Sequence, residues 1–258
     1  MSGTSQSVFS GTSAALRGVR FAVSHPEVRG LYRQLLLVLF VVAIALTALF
    51  SGALWHFTAL AEDASGWMVA GIWLLRGAGG LIVLMASPLL ALMVVNAVFP
   101  FLGERAFLGA MRVLDPARAE ALAAAEGLSM AAGLGSSVRR LVHFLGLTFL
   151  AFGVTLIPLV GALLGPALQL WSTSRALTWE LLDPYFDRRG FGYVEQRSYL
   201  RSYRGAVFGF GLPLSFLLGV PIIGPLFFGL AQASSALLIA EVLEPSGASQ
   251  PSLSASSA

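Results

Sequence analysis

Sixteen arginines, three histidines, and no lysine or cysteine bound the chemistry open to this chain. Without cysteine there is no thiolate nucleophile, disulfide framework or iron–sulfur ligation. His25, His56 and His143 are widely scattered, which argues against a histidine metal site. Asp63, Asp115, Asp183 and Asp187 fall in loops or at the ends of apolar runs, not as an intramembrane pair. There is no nucleophile elbow, no His-Glu metal pattern and no Gly-rich phosphate loop. An enzymatic reading therefore finds no footing, and no cofactor is implied. What remains is arginine chemistry and a few polar residues inside apolar runs, namely Asn96, Gln169 and Gln232. Each of these either lines a pore or makes an interhelical hydrogen bond.

The elements that position these residues are read from composition. Charged residues are 11% of the chain, hydrophobic residues 57%, and mean hydropathy is +0.81. A soluble domain carries about 25% charge, so an all-α integral membrane protein is indicated. The net charge is +3 and the pI near 9.8, but the arginines sit at the ends of apolar runs. They face lipid headgroups there, and nucleic acid is not implied as a partner. Residues 1–26 lack the apolar core of a cleavable signal.

Charge-free stretches serve as a ruler. Gln34 to Ala61 and Gly77 to Gly103 contain no formal charge. Each reaches ~40 Å as a helix, enough for a full transmembrane span. The spans are expected at about 35–61 and 77–103, preceded by an N-terminal arm with an interfacial amphipathic helix over residues 1–34. Leu141 to Ser174 and Gly205 to Ala240 are longer, and each has breakers near its middle: Pro158, Gly161, Gly165 and Pro166 in one, Pro221, Gly224 and Pro225 in the other. With legs of about 24 Å or less, both read as hemi-penetrating helical hairpins, at about 141–182 and 205–243. One membrane domain thus covers 35–244, with residues 104–140 helical and interfacial. Residues 245–258, rich in Ser, Ala and Pro, read as a disordered tail.

Charge placement orients the chain. Arg17, Arg20, Arg29 and Arg33 precede the first span, whereas the next loop holds Glu62 and Asp63 against Arg76. The positive-inside rule puts the N-terminus in the cytoplasm. The connector Arg175 to Arg204 holds six arginines and stays inside only if the preceding stretch is two-legged. The hairpins also repeat: Ile157-Pro158-Leu159-Val160-Gly161 and Val220-Pro221-Ile222-Ile223-Gly224 match at an offset of 63, as do Gln169 and Gln232. Paired broken segments of this kind point to transport, with pore or gate residues at Asn96, Gln169, Gln232, Pro158, Gly161, Pro221 and Gly224. Turns at membrane depth must be covered by protein, which predicts a homo-oligomer. Gly161-x-x-x-Gly165 and Gly205-x-x-x-Gly209 offer close-packing faces for it. The five tryptophans suit interfacial belts.

Several pieces carry a family resemblance: Val23-Ser24-His25-Pro26 with Arg29, Asn96, Pro100-Phe101, Ile157-Pro158 through Gly161, Leu181-Leu182-Asp183-Pro184-Tyr185-Phe186, Phe210-Gly211 and Val220-Pro221. In this order and spacing the chain resembles the CysZ-type sulfate permeases, which share a family with the etoposide-induced proteins. The resemblance implies two long transmembrane helices plus two hemi-penetrating hairpins, assembled as oligomers. It also implies entry of sulfate, a small inorganic anion, across a bacterial inner membrane. Family permeases carry a Gly-x-Arg-Arg element linked to sulfate binding at the start of the first long helix. Here it reads Glu27-Val28-Arg29-Gly30, so only the first arginine matches. Arg29, Gly30 and Arg33 are the substrate-binding positions this implies, Arg33 lying one turn beyond Arg29. The alternative is a non-transport membrane protein of the same fold, acting by protein interaction or membrane shaping. Zero lysine with abundant Ala, Gly and Arg points to a GC-rich bacterium.

Overall fold

The computed structural model describes residues 7–59, 66–98, 100–220 and 223–245, and every element among them is helical. Helix α1 (Val8–Ser24) starts at Ser7, whose hydroxyl accepts the Ser10 N–H at 3.2 Å. It stops at His25 because Pro26 follows and forces extended backbone there. The same proline suits a first helical position, and it opens α2 (Pro26–Ala59). At 34 residues α2 is ~51 Å long. Its partner α3 (Trp67–Val98) has 32 residues, and a narrow seam of Leu35, Leu39, Ala91 and Val95 joins them.

The second span begins ten residues earlier than Gly77, which corrects the placement of Arg76. It lies inside α3, 8% exposed, not in the connecting loop. Its guanidinium covers Trp55 at 3.9 Å, and its Nε donates to Thr58 Oγ1 at 2.9 Å. Flanking aromatics and a hydroxyl let one charge extend a helix that a charge count would end. Glu62 and Asp63 fall outside the described residues.

Helix α4 (Pro100–Leu114) buries Ala106, Phe107, Ala110 and Met111 and packs against α11. The spacing is that of one helical face turned to a core, so α4 is a core element and not an interfacial one. Helix α5 (Pro116–Ala124) follows, capped by Asp115, which accepts the Arg118 N–H at 3.1 Å.

The first hairpin is α6 (Met130–Thr155) and α7 (Gly161–Leu181), the second α10 (Arg204–Leu218) and α11 (Ile223–Leu237), the last continuing as a π-helical turn over Leu238–Leu243. Between them lie α8 (Asp183–Arg188) and α9 (Tyr193–Ser202). The legs of the first hairpin are longer than expected. Helix α6 starts at Met130, and Pro166 sits inside α7 without breaking it, leaving legs of 26 and 21 residues. At ~1.5 Å per residue both exceed the ~30 Å hydrocarbon core. The 15-residue α10 reaches only ~22 Å. Among the described residues four helices are long and apolar enough to cross a membrane: α2, α3, α6 and α11 with its π-turn.

The repeat noted in the sequence has a structural counterpart. The Gly161 N–H donates to Ile157 O at 2.8 Å, and the Gly224 N–H donates to Val220 O at 2.6 Å. A Cβ at Gly161 would stand 2.2 Å from Val154 O, and one at Gly224 would stand 2.0 Å from Leu218 O. Each glycine lets its returning helix cross directly against the outgoing backbone. Pro221 lies outside the described residues, as does the chain beyond Pro245.

In the N-terminal arm, the small-residue face of α1 is covered by protein. Gly11, Ala14, Ala15, Gly18 and Ala22 are buried against α10 and α11. A Cβ at Gly11 would lie 2.0 Å from Ala206 O, and one at Gly209 would lie 2.0 Å from Val8 O. Gly165 meets Thr155 in the same way. The Gly161/Gly165 and Gly209 faces therefore pack within the chain, which removes them as contact faces between copies.

Outside the spans an aromatic cluster joins the hairpins. Tyr185 and Phe186 are fully buried, and with Phe107, Phe191 and Tyr199 they form a network of ring contacts. Tyr185 and Tyr199 both donate to Glu244 Oε1, at 2.6 and 3.0 Å. Burial first, and the Glu244 carboxylate after it, pushes Tyr185 above its ordinary 10.0; burial, Tyr185 and Glu244 do so for Tyr199. Below the unfolded value both states hold these protons. Above it the unfolded chain releases them first, at a cost of up to about 1.4 kcal/mol per pH unit per tyrosine. The thermal midpoint in detergent is accordingly expected to drop between about pH 9 and about pH 11, and a Tyr185→Phe/Tyr199→Phe chain to lose much of that drop.

Candidate functional site

Two regions gather polar side chains. The first is the start of α2. His25 ends α1 with its N–H on Phe21 O at 3.1 Å, and its own carbonyl accepts the Arg29 N–H at 2.9 Å. The chain therefore passes from one helix into the next with little slack. Val28 is fully buried, which pins this first turn to the core and turns Arg29, Gly30 and Arg33 outward. All three are exposed, and among the described residues neither arginine has an ion-pair partner. A Cβ at Gly30 would find nothing within 4 Å. Glu27 is exposed on the same turn, so the local field carries one acid and two bases. A helix start bearing two free guanidinium forks suits a small oxyanion.

The second region is an open cavity of about 980 Å³ bounded by α4, α6, α7 and α8. Its walls are apolar along α6, with Leu134, Leu141, Phe144 and Leu147, and polar towards the end of α7. Arg140 Nη1 pairs with Asp183 at 2.5 Å, and its Nη2 donates to Ser137 Oγ at 2.9 Å. Ser172, 1% exposed, lines the space and its hydroxyl has no hydrogen-bond partner among the described residues. Arg188 pairs with Glu104 at the rim and donates from Nη1 to Ala125 O at 3.0 Å. Asp187, on the same rim, has its carboxyl pushed above the ordinary range by burial and by Asp183 and Glu104, against the Leu128 N–H and Arg188. With Glu104, Glu180, Asp183 and Asp187 facing Arg140 and Arg175, the cavity is of mixed sign. An oxyanion there meets carboxylates, whereas a polar neutral solute or water does not pay that penalty.

The other sequence-derived positions are dispersed. Gln232 is 2% exposed and donates to Leu181 O at 2.8 Å, tying α11 to the end of α7. Gln169, its partner in the repeat, donates to Thr173 Oγ1 at 3.3 Å beside the cavity. The two therefore share an offset but not an environment. Pro158 sits at the exposed first hairpin tip, where Leu159 takes a φ of 64°. Of Asn96 only the helical backbone is described. Trp179 is no belt residue: it is 4% exposed and donates to Gln196 Oε1 at 2.7 Å. The ion pairs of the cavity rim were not legible in the sequence, because Arg140 and Asp183 are 43 residues apart and Glu104 and Arg188 are 84 apart.

Two long apolar helices, two tip-matched hairpins and an outward arginine pair at the first long helix form one arrangement. A family model described as Sulfate transporter CysZ/Etoposide-induced protein 2.4 matches residues 14–228. The chain belongs to this family. The match takes in α1 from Ala14 through the first turns of α11, so the α2 start, the first hairpin and the tip side of the second lie within it. Membership and the four apolar helices make it a multi-pass membrane protein of a family named for a transporter and not for an enzyme. No curated protein matches the chain.

Proposed function

We propose that the protein is a permease for sulfate or another small inorganic oxyanion, working in a bacterial inner membrane with its N-terminus in the cytoplasm. The observation that carries this reading is the Arg29–Arg33 pair, outward on the first turns of α2 and without an ion pair among the described residues, in a chain of a sulfate-transporter family. An oligomeric pore is supported by the hairpin tips. Leu156 to Val160 are all exposed, with Leu159 at 93%. This run of exposed apolar side chains offers a surface that a second copy would cover.

The test is labelled-sulfate uptake into proteoliposomes. Arg29→Ala is expected to reduce uptake at least about tenfold, since a charge-assisted hydrogen bond is worth about 1.5–3 kcal/mol. Gly30→Arg restores the missing family arginine at a position with open space and is expected to raise the affinity for sulfate by a similar factor. Uptake by the wild type no greater than in empty vesicles would refute the sulfate assignment. A panel of other oxyanions would then decide between a different cargo and a non-transport role.

A further inference from the structure

A second cationic site lies where the two hairpins leave the hydrocarbon. Arg175 is the first charge after the uncharged run 141–174, and Arg204 is the last before the uncharged run 205–240. The two line one shallow cleft with Trp171, Leu200, Val207 and Phe208, because α7 and α10 are packed in contact. Helix α9, in contact with α10, carries Arg197 and Arg201 four residues apart and so on one face, on either side of the lining residue Leu200 in sequence. Arg175 feels the like charges of Arg197, Arg201 and Arg204, and no carboxylate is among the charges acting on it. It lies over Trp171 at 5.5 Å. Among the described residues none of the four guanidinium groups has an ion-pair or hydrogen-bond partner.

Four like charges gathered around α10, which packs on both α7 and α9, repel one another, and none of them is neutralised by an ion pair among the described residues. Arg204 also begins α10, a 15-residue helix whose N-cap, Tyr203, offers no side-chain hydrogen bond to the first turn. The first N–H groups of that turn have no intrahelical partner, as at any helix start. The donor set is planar forks plus backbone N–H groups beside an indole, which matches a tetrahedral oxyanion better than a carboxylate or a neutral headgroup.

We infer that Arg175, Arg197, Arg201 and Arg204 form a binding site for a tetrahedral oxyanion at headgroup depth, separate from the Arg29–Arg33 pair. The chemistry is that of a phosphate or sulfate group, carried either by an anionic lipid or by a free inorganic ion. The inference stands on binding, not flux, and does not rest on the transport reading.

The test uses the full-length protein purified in neutral detergent. One arm titrates inorganic sulfate and follows the thermal midpoint. The other measures by native mass spectrometry how much phosphatidylglycerol is retained against phosphatidylcholine. Binding in the first arm identifies a free anion as ligand, and selective retention in the second identifies a lipid phosphate. Arg197→Gln/Arg201→Gln changes exposed side chains only and is expected to weaken whichever binding is seen by about fivefold per arginine. Arg204→Lys keeps the charge but loses the fork, and is expected to weaken it measurably as well. Arg29→Ala is expected to leave retention of phosphatidylglycerol unchanged. The proposal is overturned if the wild type binds neither sulfate nor phosphatidylglycerol above phosphatidylcholine, or if the double variant binds as the wild type does. An Arg204→Lys chain equal to the wild type also overturns it, since diffuse attraction to headgroups would then account for the cluster.

Discussion

Gly211→Ala is expected to prevent stable folding, although it adds a single methyl group. A Cβ at this position would stand 1.9 Å from Ser174 O and 2.6 Å from Thr178 Oγ1. The obstructing oxygen is backbone on α7, so no rotamer change relieves the clash, and α10 must move away from α7 bodily. Thr178 Oγ1 donates to Val207 O at 2.8 Å across this same contact and would be lost with it. Overpacking costs about 1–3 kcal/mol where side chains can yield, and a clash with backbone falls at or beyond the top of that range. A membrane domain with stability of about 5–15 kcal/mol loses a large share to it. The measurement is the monodisperse yield and thermal midpoint in detergent. Gly71→Ala, whose added Cβ has open space, serves as the control. A Gly211→Ala chain with wild-type yield and midpoint would show that α7 and α10 are not packed as described.

Glu244→Ala is the second large effect. The carboxylate closes the C-terminal π-turn and accepts both the Tyr185 and Tyr199 hydroxyls on one oxygen. Tyr185 is fully buried, so removing the acceptor strands a phenol that water cannot readily reach. Each stranded group costs about 1–3 kcal/mol, and two together approach half the stability of an ordinary domain. Glu244→Gln keeps an acceptor oxygen and is expected to recover most of the loss. It should also shrink the alkaline drop in midpoint, because the charge that raises both phenols is gone. Equal midpoints for Ala and Gln at this position would mean that the hydrogen bonds carry no net stability.

Much of the architecture was legible because a membrane chain states its apolar lengths openly. Gln34 to Ala61 and the breaker clusters around Pro158 and Pro221 were enough to place two long helices and two hairpins. The misreadings came where a charge or a proline was taken at face value. Arg76 looks like a loop residue until Trp55 and Thr58 are seen to take its guanidinium, a contact between helices that no window within one helix reveals. Pro166 looks like a breaker, yet it falls inside α7, which forgoes one backbone hydrogen bond in its second turn and continues to Leu181. The burial of α4 was written in the spacing of Ala106, Phe107, Ala110 and Met111, but the surrounding arginines obscured it. The arginine pair on α2 could be placed from sequence. The cavity rim could not, since its ion pairs depend on which helices the fold brings together.

The packing of α1 has a consequence for how the protein is made. This helix leaves the ribosome long before its partners: Thr12 donates to Gly209 O at 2.9 Å, 197 residues away, and Arg17 pairs with Glu241 at 2.7 Å. Throughout synthesis its small-residue face has nothing to cover it, so an amphipathic helix must wait at the bilayer surface until the second hairpin arrives. The docking of α1 is therefore completed only when the second hairpin closes on it, and a ribosome stalled before Arg204 leaves a nascent chain in which α1 is still undocked.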